Sequence, residues 1–155
     1  MMRFTGDYLA KTDAKGRVFL PAAFRKMLEQ YGEQRLVLRP NMFQHCLDLY
    51  PGSVWNRMLD SLNARLDPWN GTHQALKRNF VAKADIIELD NNGRLLISKN
   101  KMQYAFIKQD VRFLAVDDHF EVWDKDTCEA VLNQLTPDGE PEGMIYQELM
   151  AGFNG

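Results

Sequence analysis

Short apolar runs alternate with helical patterns along the chain. Residues 18–20, 36–38 and 47–50 are mostly Val, Leu and Phe, which favours short buried strands. Between the first two runs, apolar side chains recur at the spacing of one helix face, so we predict an amphipathic helix packed on the core. Its core-facing residues are Phe24, Met27, Leu28 and Tyr31. Pro21 before this stripe and Gly32 after it are typical helix boundaries.

The same pattern occurs twice in the sequence. Residues 13–20 match the segment 77 positions later, with Asp, Gly, Arg and the apolar run aligned. Residues 34–38 recur at a spacing of 76 and residues 46–50 at a spacing of 73. We therefore predict a tandem duplication of a unit of about 75 residues. Neither half has enough strands to close a barrel alone, so we expect the halves to interlock around one core with a pseudo-twofold axis.

These repeats divide the chain into four predicted segments. Residues 1–62 form the first unit, residues 63–79 a helical connector, and residues 80–135 the second unit. Residues 136–155 begin with several Pro, Gly and acidic residues, a composition typical of linkers. We expect this last segment to be an acidic, flexible tail.

The most distinctive repeated motif predicts a tight turn. A type I turn favours Asp at its first position and Gly at its fourth. The residues in these positions are Asp13 and Gly16 in the first copy and Asp90 and Gly93 in the second. The next residue, Arg17 or Arg94, is then expected to begin the outgoing strand at the tip of a hairpin, exposed on a rigid support.

Charge is distributed unevenly although the net formal charge is only -2. Residues 1–39 and 76–112 each carry +4, whereas residues 113–155 carry -9, so each predicted turn lies in a basic segment. Because distant charges are screened, a local basic surface can still bind a polyanion such as nucleic acid. The first basic segment adds Lys15, Lys11 and Arg3 to Arg17 as candidate DNA-binding residues.

Two simpler interpretations of the arginines stay open. Arg17 could instead pair with Asp13 across the turn or simply be solvated. For Arg94, an oligomer contact or plain exposure is as reasonable as DNA binding. Arginine commonly reads guanine in the major groove, whereas lysine more often contacts phosphates, so Arg17 is the better candidate for sequence recognition.

Other classes of function find little support in the sequence. Cys46 and Cys128 are 82 positions apart, without a CxxC pair, and the histidines show no metal-ligand spacing. No P-loop, GxGxxG or GxSxG motif is present. We therefore expect a non-enzymatic protein with no metal, cofactor or small-molecule substrate. No apolar run is long enough for a membrane helix or a signal peptide, which predicts a cytoplasmic protein without a membrane partner.

Several blocks together resemble a known family. The sequence resembles the MraZ family of bacterial transcriptional regulators, which are built from two AbrB/SpoVT-type domains in tandem. The similar blocks are residues 13–17 with the following strand and residues 21–25, residues 47–51 with Trp55, and residues 120–124. The resemblance covers about residues 2–135. It implies an α+β fold, mainly β, in which two AbrB/SpoVT-like units interlock as a pseudo-twofold swapped-hairpin barrel with flanking helices.

The resemblance also implies a function. It predicts a sequence-specific DNA-binding regulator, usually a repressor, which binds short direct repeats upstream of the division and cell-wall gene cluster, including its own promoter. Ring-shaped homo-oligomers and association with the nucleoid are implied as well. By motif position, Arg17 is the principal DNA contact, with Lys15 beside it and Asp13 shaping the loop. The alternative is a non-enzymatic protein-interaction or antitoxin-like AbrB module.

This sequence departs from the family pattern in its second unit. It has Ser98, Lys101 and Phe106 where the family favours Pro, Leu and Gly, and its second turn has Asn91 and Asn92 without the usual Lys. Since Ser is a good helix N-cap, the expected fold is kept.

Overall fold

The computed structural model describes residues 2–135 and 142–154, and the chain divides into two compact units between Lys125 and Asp126. The first unit is a mixed α/β structure with mainly antiparallel sheet. Its strands are β1 Asp7–Lys11, β2 Arg17–Phe19, β3 Leu36–Pro40, β4 Leu47–Pro51, β5 Asp85–Ile87, β6 Arg94–Leu96, β7 Asp110–Val116 and β8 His119–Asp124. Its helices are α1 Ala22–Gln30, α2 Gly52–Arg65, α3 Gly71–Ala82 and α4 Lys99–Tyr104.

The strands of the two sequence halves pair with each other. A six-stranded antiparallel sheet has the order β1-β7-β8-β4-β3-β5, and β2 pairs with β6 in a separate two-stranded sheet. The pairs β1 with β7, β4 with β8, β3 with β5, and β2 with β6 all join one half to the other. The expected closed barrel is not found among the described residues, because β1 and β5 are the two edges of the large sheet.

The register of these pairs is symmetric under exchange of the halves. In the small sheet, Val18 lies opposite Leu95, and the flanking pairs are Arg17 with Leu96 and Phe19 with Arg94. In the large sheet, Asp48 lies opposite Glu121, and the flanking pairs are Leu47 with Val122 and Leu49 with Phe120. Residues that match in the sequence repeat therefore occupy matching positions on either side of each central pair.

One part of the predicted repeat alignment is wrong by one residue. The predicted repeat spacing of 76 aligns Leu36 with Arg112. In the structure Leu36 pairs with Ile87, and the matching residue of β1, Ala10, pairs with Val111. Leu36 is thus equivalent to Val111, at a spacing of 75, and both are buried. Side chains along a strand alternate in direction, so a shift of one residue would place the buried residues on the exposed face. Burial therefore determines the correct alignment, which sequence similarity alone misplaces by one residue.

The turn at residues 13–16 does not join the two strands of a hairpin, which corrects the sequence expectation. Its backbone closes through Asp13 N–H donating to Arg17 O at 2.9 Å. However, β1 then pairs with β7 and β2 with β6, so the turn connects two different sheets. The second turn likewise connects β5 to β6. This exchange of partners lets both halves share one core.

The core of the first unit combines residues from both halves. Fully or nearly fully buried side chains at its centre are Val18, Leu20, Phe24, Leu38, Leu47, Leu49, Leu95, Ile97, Phe113 and Phe120. The predicted stripe of α1 is mostly correct, with Phe24 and Leu28 buried and Met27 packed against the cluster. Tyr31 is an exception, because α1 ends at Gln30 and the Tyr31 side chain is half exposed.

Helices occupy most of the predicted connector. α2 continues to Arg65, and α3 begins after Asn70, whose side chain accepts the N–H groups of Thr72 and His73. Trp55 of α2 stacks on Phe80 of α3 with ring centroids 5.3 Å apart. Trp55 and Phe80 belong to a second apolar cluster, which also contains Val37, Tyr50 and Val54.

The second unit contains two helices, α5 Lys125–Leu135, whose first residue still belongs to the first unit, and α6 Gly143–Asn154. The predicted tail therefore includes a helix, while residues 136–141 and 155 of that segment lie outside the described residues. Apolar side chains of α6, including Ile145 and Leu149, are exposed. None of the helices in the described ranges has both the length and the apolar character needed to cross a membrane.

Candidate nucleic-acid interface

The Asp13 carboxylate organises the first turn. Its Oδ1 accepts the backbone N–H groups of Lys15 and Arg17, both at 2.9 Å, and its Oδ2 accepts Arg17 Nε at 2.7 Å. The Gly16 N–H donates to the Asp13 carbonyl at 3.0 Å. One side chain thus fixes both the backbone of the turn and the arginine that follows it.

The second turn repeats this geometry. Asp90 Oδ1 accepts the N–H groups of Asn92 and Arg94 at 2.9 Å, and Asp90 Oδ2 accepts Arg94 Nε at 2.8 Å. The Gly93 N–H donates to the Asp90 carbonyl at 2.9 Å. The two turns therefore present arginine in the same way, although the second has Asn92 where the first has Lys15.

Both turns are held against the opposite half of the protein. The Gly16 carbonyl accepts the Ile97 N–H at 2.9 Å, and the Gly93 carbonyl accepts the Leu20 N–H at 3.1 Å. The two glycines have φ of +88° and +80°, a region that side chains with a Cβ rarely adopt. A Cβ on Gly16 would lie 2.6 Å from the Ile97 carbonyl oxygen. Glycine is required here by backbone conformation and by close approach together.

Hydrogen bonding lowers the pKa of both turn carboxyl groups below the usual value. For Asp13 the largest cause is the backbone N–H of Arg17, and for Asp90 it is the backbone N–H of Arg94. Both carboxyl groups are therefore ionised at neutral pH and hold the neighbouring arginine by charge-assisted hydrogen bonds.

The arginine pairing expected as the simpler alternative is present, and it leaves part of each guanidinium available. Arg17 and Arg94 contact the carboxylates through Nε, and no acceptor for their Nη atoms is found within residues 2–135 and 142–154. Their side chains are 35% and 23% exposed, respectively. Arg94 also lies over the ring of Phe19, with its Cζ 5.8 Å from the centroid. Each arginine can still donate to an external acceptor.

The two arginines lie on one face of the small sheet. Val18 and Leu95 point inward and are fully buried, so their neighbours Arg17, Phe19, Arg94 and Leu96 point to the opposite, outer face. Phe19 and Leu96 are each 54% exposed. Arg17 and Arg94 are diagonal neighbours across the ladder, which places their backbones roughly 7–8 Å apart. Both halves thus contribute one arginine to a single surface.

The other predicted basic residues are distributed differently. Lys15 lies in the first turn and is exposed, and Lys11 ends β1 two residues before Asp13. Arg3, by contrast, lies beyond the other end of β1, where its Nη1 is 2.8 Å from Asp117 Oδ1. Lys15 and Arg17 therefore belong to the same turn and Lys11 to the strand end that leads into it, whereas Arg3 lies beyond the opposite end of β1.

Two further basic residues lie next to the turns. Lys99 lines the groove beside Lys15, together with Met102 of α4. Arg25 of α1 lies against Gly93 in the second turn. Arg25 and Met102 are 77 positions apart, so the repeat spacing could have identified the contact between each glycine and the helix of the other half.

The fold and the paired turns define a mixed α/β protein built from two copies of one structural unit. The chain belongs to the MraZ family, because the family model for MraZ protein, whose description likens it to antitoxins, matches residues 3–79 and 80–140. This confirms the resemblance inferred from the motifs and from the tandem repeat.

Similar proteins match along almost the whole chain. A protein of Bacteroides fragilis named Transcriptional regulator MraZ is 50% identical over 150 residues, covering 97% of this chain and 92% of its own length. Proteins of the same name from Phocaeicola vulgatus and Shewanella amazonensis are 46% and 30% identical. The match to the Phocaeicola vulgatus protein covers 99% of this chain and 97% of the relative. The match to the Shewanella amazonensis protein covers 97% of this chain and 99% of the relative.

Proposed function

We propose that this protein is a non-enzymatic transcriptional regulator that binds double-stranded DNA through its two Asp-organised turns. In this proposal Arg17 reads a base edge, Lys15 and Lys11 contact phosphates, and Arg94 provides a second contact from the other half. Asp13, Gly16, Asp90 and Gly93 shape the loops. Arg3 acts as a peripheral phosphate contact.

The observation that carries the proposal is the symmetric presentation of Arg17 and Arg94 on the outer face of the small sheet. Each guanidinium is anchored at Nε, which restricts its orientation and reduces the entropy lost on binding. A diagonal spacing of about 7–8 Å across the ladder is close to two base-pair steps, since steps along one strand are about 3.4 Å apart. Two arginines of one chain can therefore address neighbouring positions of one site.

The relatives support the same conclusion. Proteins 30–50% identical over nearly the full chain are named transcriptional regulators. A transcriptional regulator that acts at a promoter must contact DNA. We infer that the Lys11–Arg17 region is the basic surface that makes this contact. We infer that the protein acts as a repressor, in the cytoplasm and on the nucleoid.

We further propose that binding uses several copies of the chain. One turn reaches only a few base pairs, and phosphate contacts alone are weakened by salt. A ring-shaped homo-oligomer that places several turns along short direct repeats would increase affinity through effective concentration. The expected operator is a set of such repeats upstream of the division and cell-wall gene cluster, including the protein's own promoter.

Fluorescence anisotropy with labelled promoter duplexes and scrambled duplexes tests the proposal. Arg17→Ala should reduce discrimination between the two by about 1–3 kcal/mol, whereas Lys15→Ala should weaken binding to both. Arg57→Ala, on α2, is the matched control and should bind like the wild type. Because an exposed Asp–Arg pair contributes only about 0–1 kcal/mol, the fold should survive Arg17→Ala, which circular dichroism checks.

Other results would redirect the proposal. Unchanged DNA binding by Arg17→Ala would refute the site. No DNA binding by the full chain would favour the protein-interaction or antitoxin-like alternative, whereas binding that survives deletion of residues 137–155 supports the turns as the interface. Native mass spectrometry with and without repeat DNA would show whether the binding species is an oligomer.

A further inference from the structure

A cluster of metal-binding side chains lies at the centre of the β4–β8 ladder, in the first unit and outside the two turns. Asp48 and Glu121 lie directly opposite each other in register, and Cys46 precedes Asp48 by two residues and so shares its face of the sheet. The Cys46 Sγ and one carboxylate oxygen of each acidic residue all lie within 4.8 Å of one another. Cys46 is fully buried and Asp48 is 6% exposed.

The basic side chains that act electrostatically on the two carboxyl groups are Arg39 and His119, whose Nε2 lies 3.9 Å from Asp48 Oδ1. Among residues 2–135 and 142–154, no Lys or Arg forms an ion pair with Asp48 or Glu121. Arg39 lies opposite Asp48 on the neighbouring strand β3 and attracts its carboxylate, but its hydrogen bonds go elsewhere, from Nε to Phe80 O at 3.0 Å and from Nη1 to Pro40 O at 2.6 Å. Two carboxylates brought together at a buried site are unfavourable unless a cation or a proton joins them.

Neighbouring groups orient the donor atoms. Asn41 Nδ2 donates to both Asp48 oxygens at 3.1 and 3.2 Å, and the Tyr50 hydroxyl donates to Oδ2 at 3.1 Å. Trp123 Nε1 donates to Glu121 Oε1 at 3.1 Å, which leaves the second oxygen of Glu121 for another partner. Such outer hydrogen bonds are typical of carboxylates that bind metals.

A histidine at the edge of the cluster also supports a metal site. His119 Nδ1 lies 2.8 Å from Asp118 Oδ1, while its Nε2 lies 3.9 Å from Asp48 Oδ1. A carboxylate at one ring nitrogen is the usual way in which proteins direct the other nitrogen of a histidine towards a metal. His119 is not one of the three clustered donors, but its Nε2 lies beside Asp48, where it would add nitrogen to the sulfur and oxygen donors.

We propose that Cys46, Asp48 and Glu121 bind one Zn²⁺ ion, with His119 completing the coordination. Thiolate, imidazole and carboxylate together suit Zn²⁺ better than Mg²⁺ or Ca²⁺, which prefer oxygen ligands alone. Binding requires the Cys46 thiol to lose its proton to solvent as the Zn–S bond forms. With bonds of about 2.0–2.3 Å, the three clustered donors need to contract only moderately from their present separation, while His119 would have to approach from the edge of the cluster.

The position of the site gives it a consequence. Its ligands come from β4 of the first half and β8 of the second, at the central pair of the pseudo-twofold ladder. A bound ion would therefore join the two halves of the protein, and Zn²⁺ should stabilise the folded chain against unfolding. This inference does not depend on DNA binding through the turns.

Metal uptake by the full-length, tag-free chain tests the proposal. After chelator treatment and removal of the chelator, the wild type should bind one Zn²⁺ per chain, measured by competition with a chromophoric chelator and by elemental analysis. Co²⁺ in place of Zn²⁺ should give a thiolate-to-metal charge-transfer band and the visible bands of a four-coordinate site. Zn²⁺ should also raise the unfolding temperature.

Nearly isosteric variants identify the ligands. Cys46→Ser and Glu121→Gln should each lower the Zn²⁺ affinity by at least about tenfold, and Cys46→Ser should also abolish the charge-transfer band. Cys128→Ser is the matched control, since Cys128 is the other buried cysteine, and it should behave like the wild type. If Cys46→Ser does not fold, Glu121→Gln and the Co²⁺ spectrum of the wild type still decide.

The competing occupant is a proton on Glu121, whose pKa burial raises. In that case the wild type would take up no stoichiometric Zn²⁺, and Zn²⁺ would leave its unfolding temperature unchanged. Either result would overturn the proposal. Equal losses of Zn²⁺ affinity in Cys46→Ser and Cys128→Ser would also contradict it.

Discussion

The close approach of Gly16 to the second half predicts a specific stability loss for Gly16→Ala. Gly16 has φ +88°, and an alanine in the left-handed region costs roughly 1–2 kcal/mol. The added Cβ would also lie 2.6 Å from the Ile97 carbonyl oxygen, which is backbone and cannot rotate away. Moving the strands apart weakens the Ile97 N–H to Gly16 O hydrogen bond, for about 0.5–1.5 kcal/mol more.

Gly32→Ala is the matched control, because Gly32 also has positive φ, +69°, but nothing lies within 4 Å of the position that an added Cβ would occupy. It should lose only the conformational cost of roughly 1–2 kcal/mol. Gly16→Ala should therefore lose about 1 kcal/mol more of unfolding free energy than Gly32→Ala. Guanidinium unfolding followed by tryptophan fluorescence measures both. Equal losses of unfolding free energy in the two variants would refute the close packing of the first turn against Ile97, the residue that follows β6.

Three further predictions concern the core, the turn carboxylate and DNA. Leu95→Ala should cost about 2–5 kcal/mol in chemical unfolding, whereas Leu96→Ala, at an exposed position, should cost within about 0.5 kcal/mol; similar values would contradict the inward face of β6. The pKa of Asp13 is lowered, so its contribution to stability is present above its unfolded-state pKa and lost as the pH falls through the lower folded value. Asp13→Asn should thus be less stable than the wild type at neutral pH, and unfolding curves recorded down to acid pH should show this difference disappear; a constant difference would contradict the assignment. Lys15→Ala should reduce the slope of log affinity for DNA against log salt by about 1, and an unchanged slope would exclude a phosphate contact.

The sequence predicts local structure well where local chemistry determines it. The Asp and Gly of each turn specify the same hydrogen bonds in both copies, and the apolar spacing in α1 identifies Phe24 and Leu28 as core. Tyr31 belongs to the same spacing but lies just past the helix end, where the face of the helix no longer continues.

Long-range pairing could not be predicted from local patterns. An Asp-x-x-Gly turn between two strands suggests a hairpin, yet each flanking strand finds a better partner in the other half. The one-residue error in aligning Leu36 arises for a similar reason. The correct equivalent, Val111, is identified only by the strand pairing and by the buried face of β7.

The same limitation explains what was missed around the candidate sites. Asp48 and Glu121 lie in the similar blocks 47–51 and 120–124, but the sequence does not show that they meet, which follows from the pairing of β4 with β8 about their centre. Arg3 belongs to the basic segment by sequence position, but β1 separates it from the turn. Charge counted along a chain therefore indicates a basic segment without showing which of its members share a surface.

Site-specific photo-crosslinking shows whether the first turn contacts DNA. A photoreactive amino acid would replace Lys15 in the turn or Leu76 on α3, an exposed control position. Crosslinks to promoter-repeat duplex are expected from position 15, where unlabelled repeat DNA competes them away, and none are expected from position 76. Equal crosslinking from both positions, or none from position 15 while the protein still binds DNA, would contradict it.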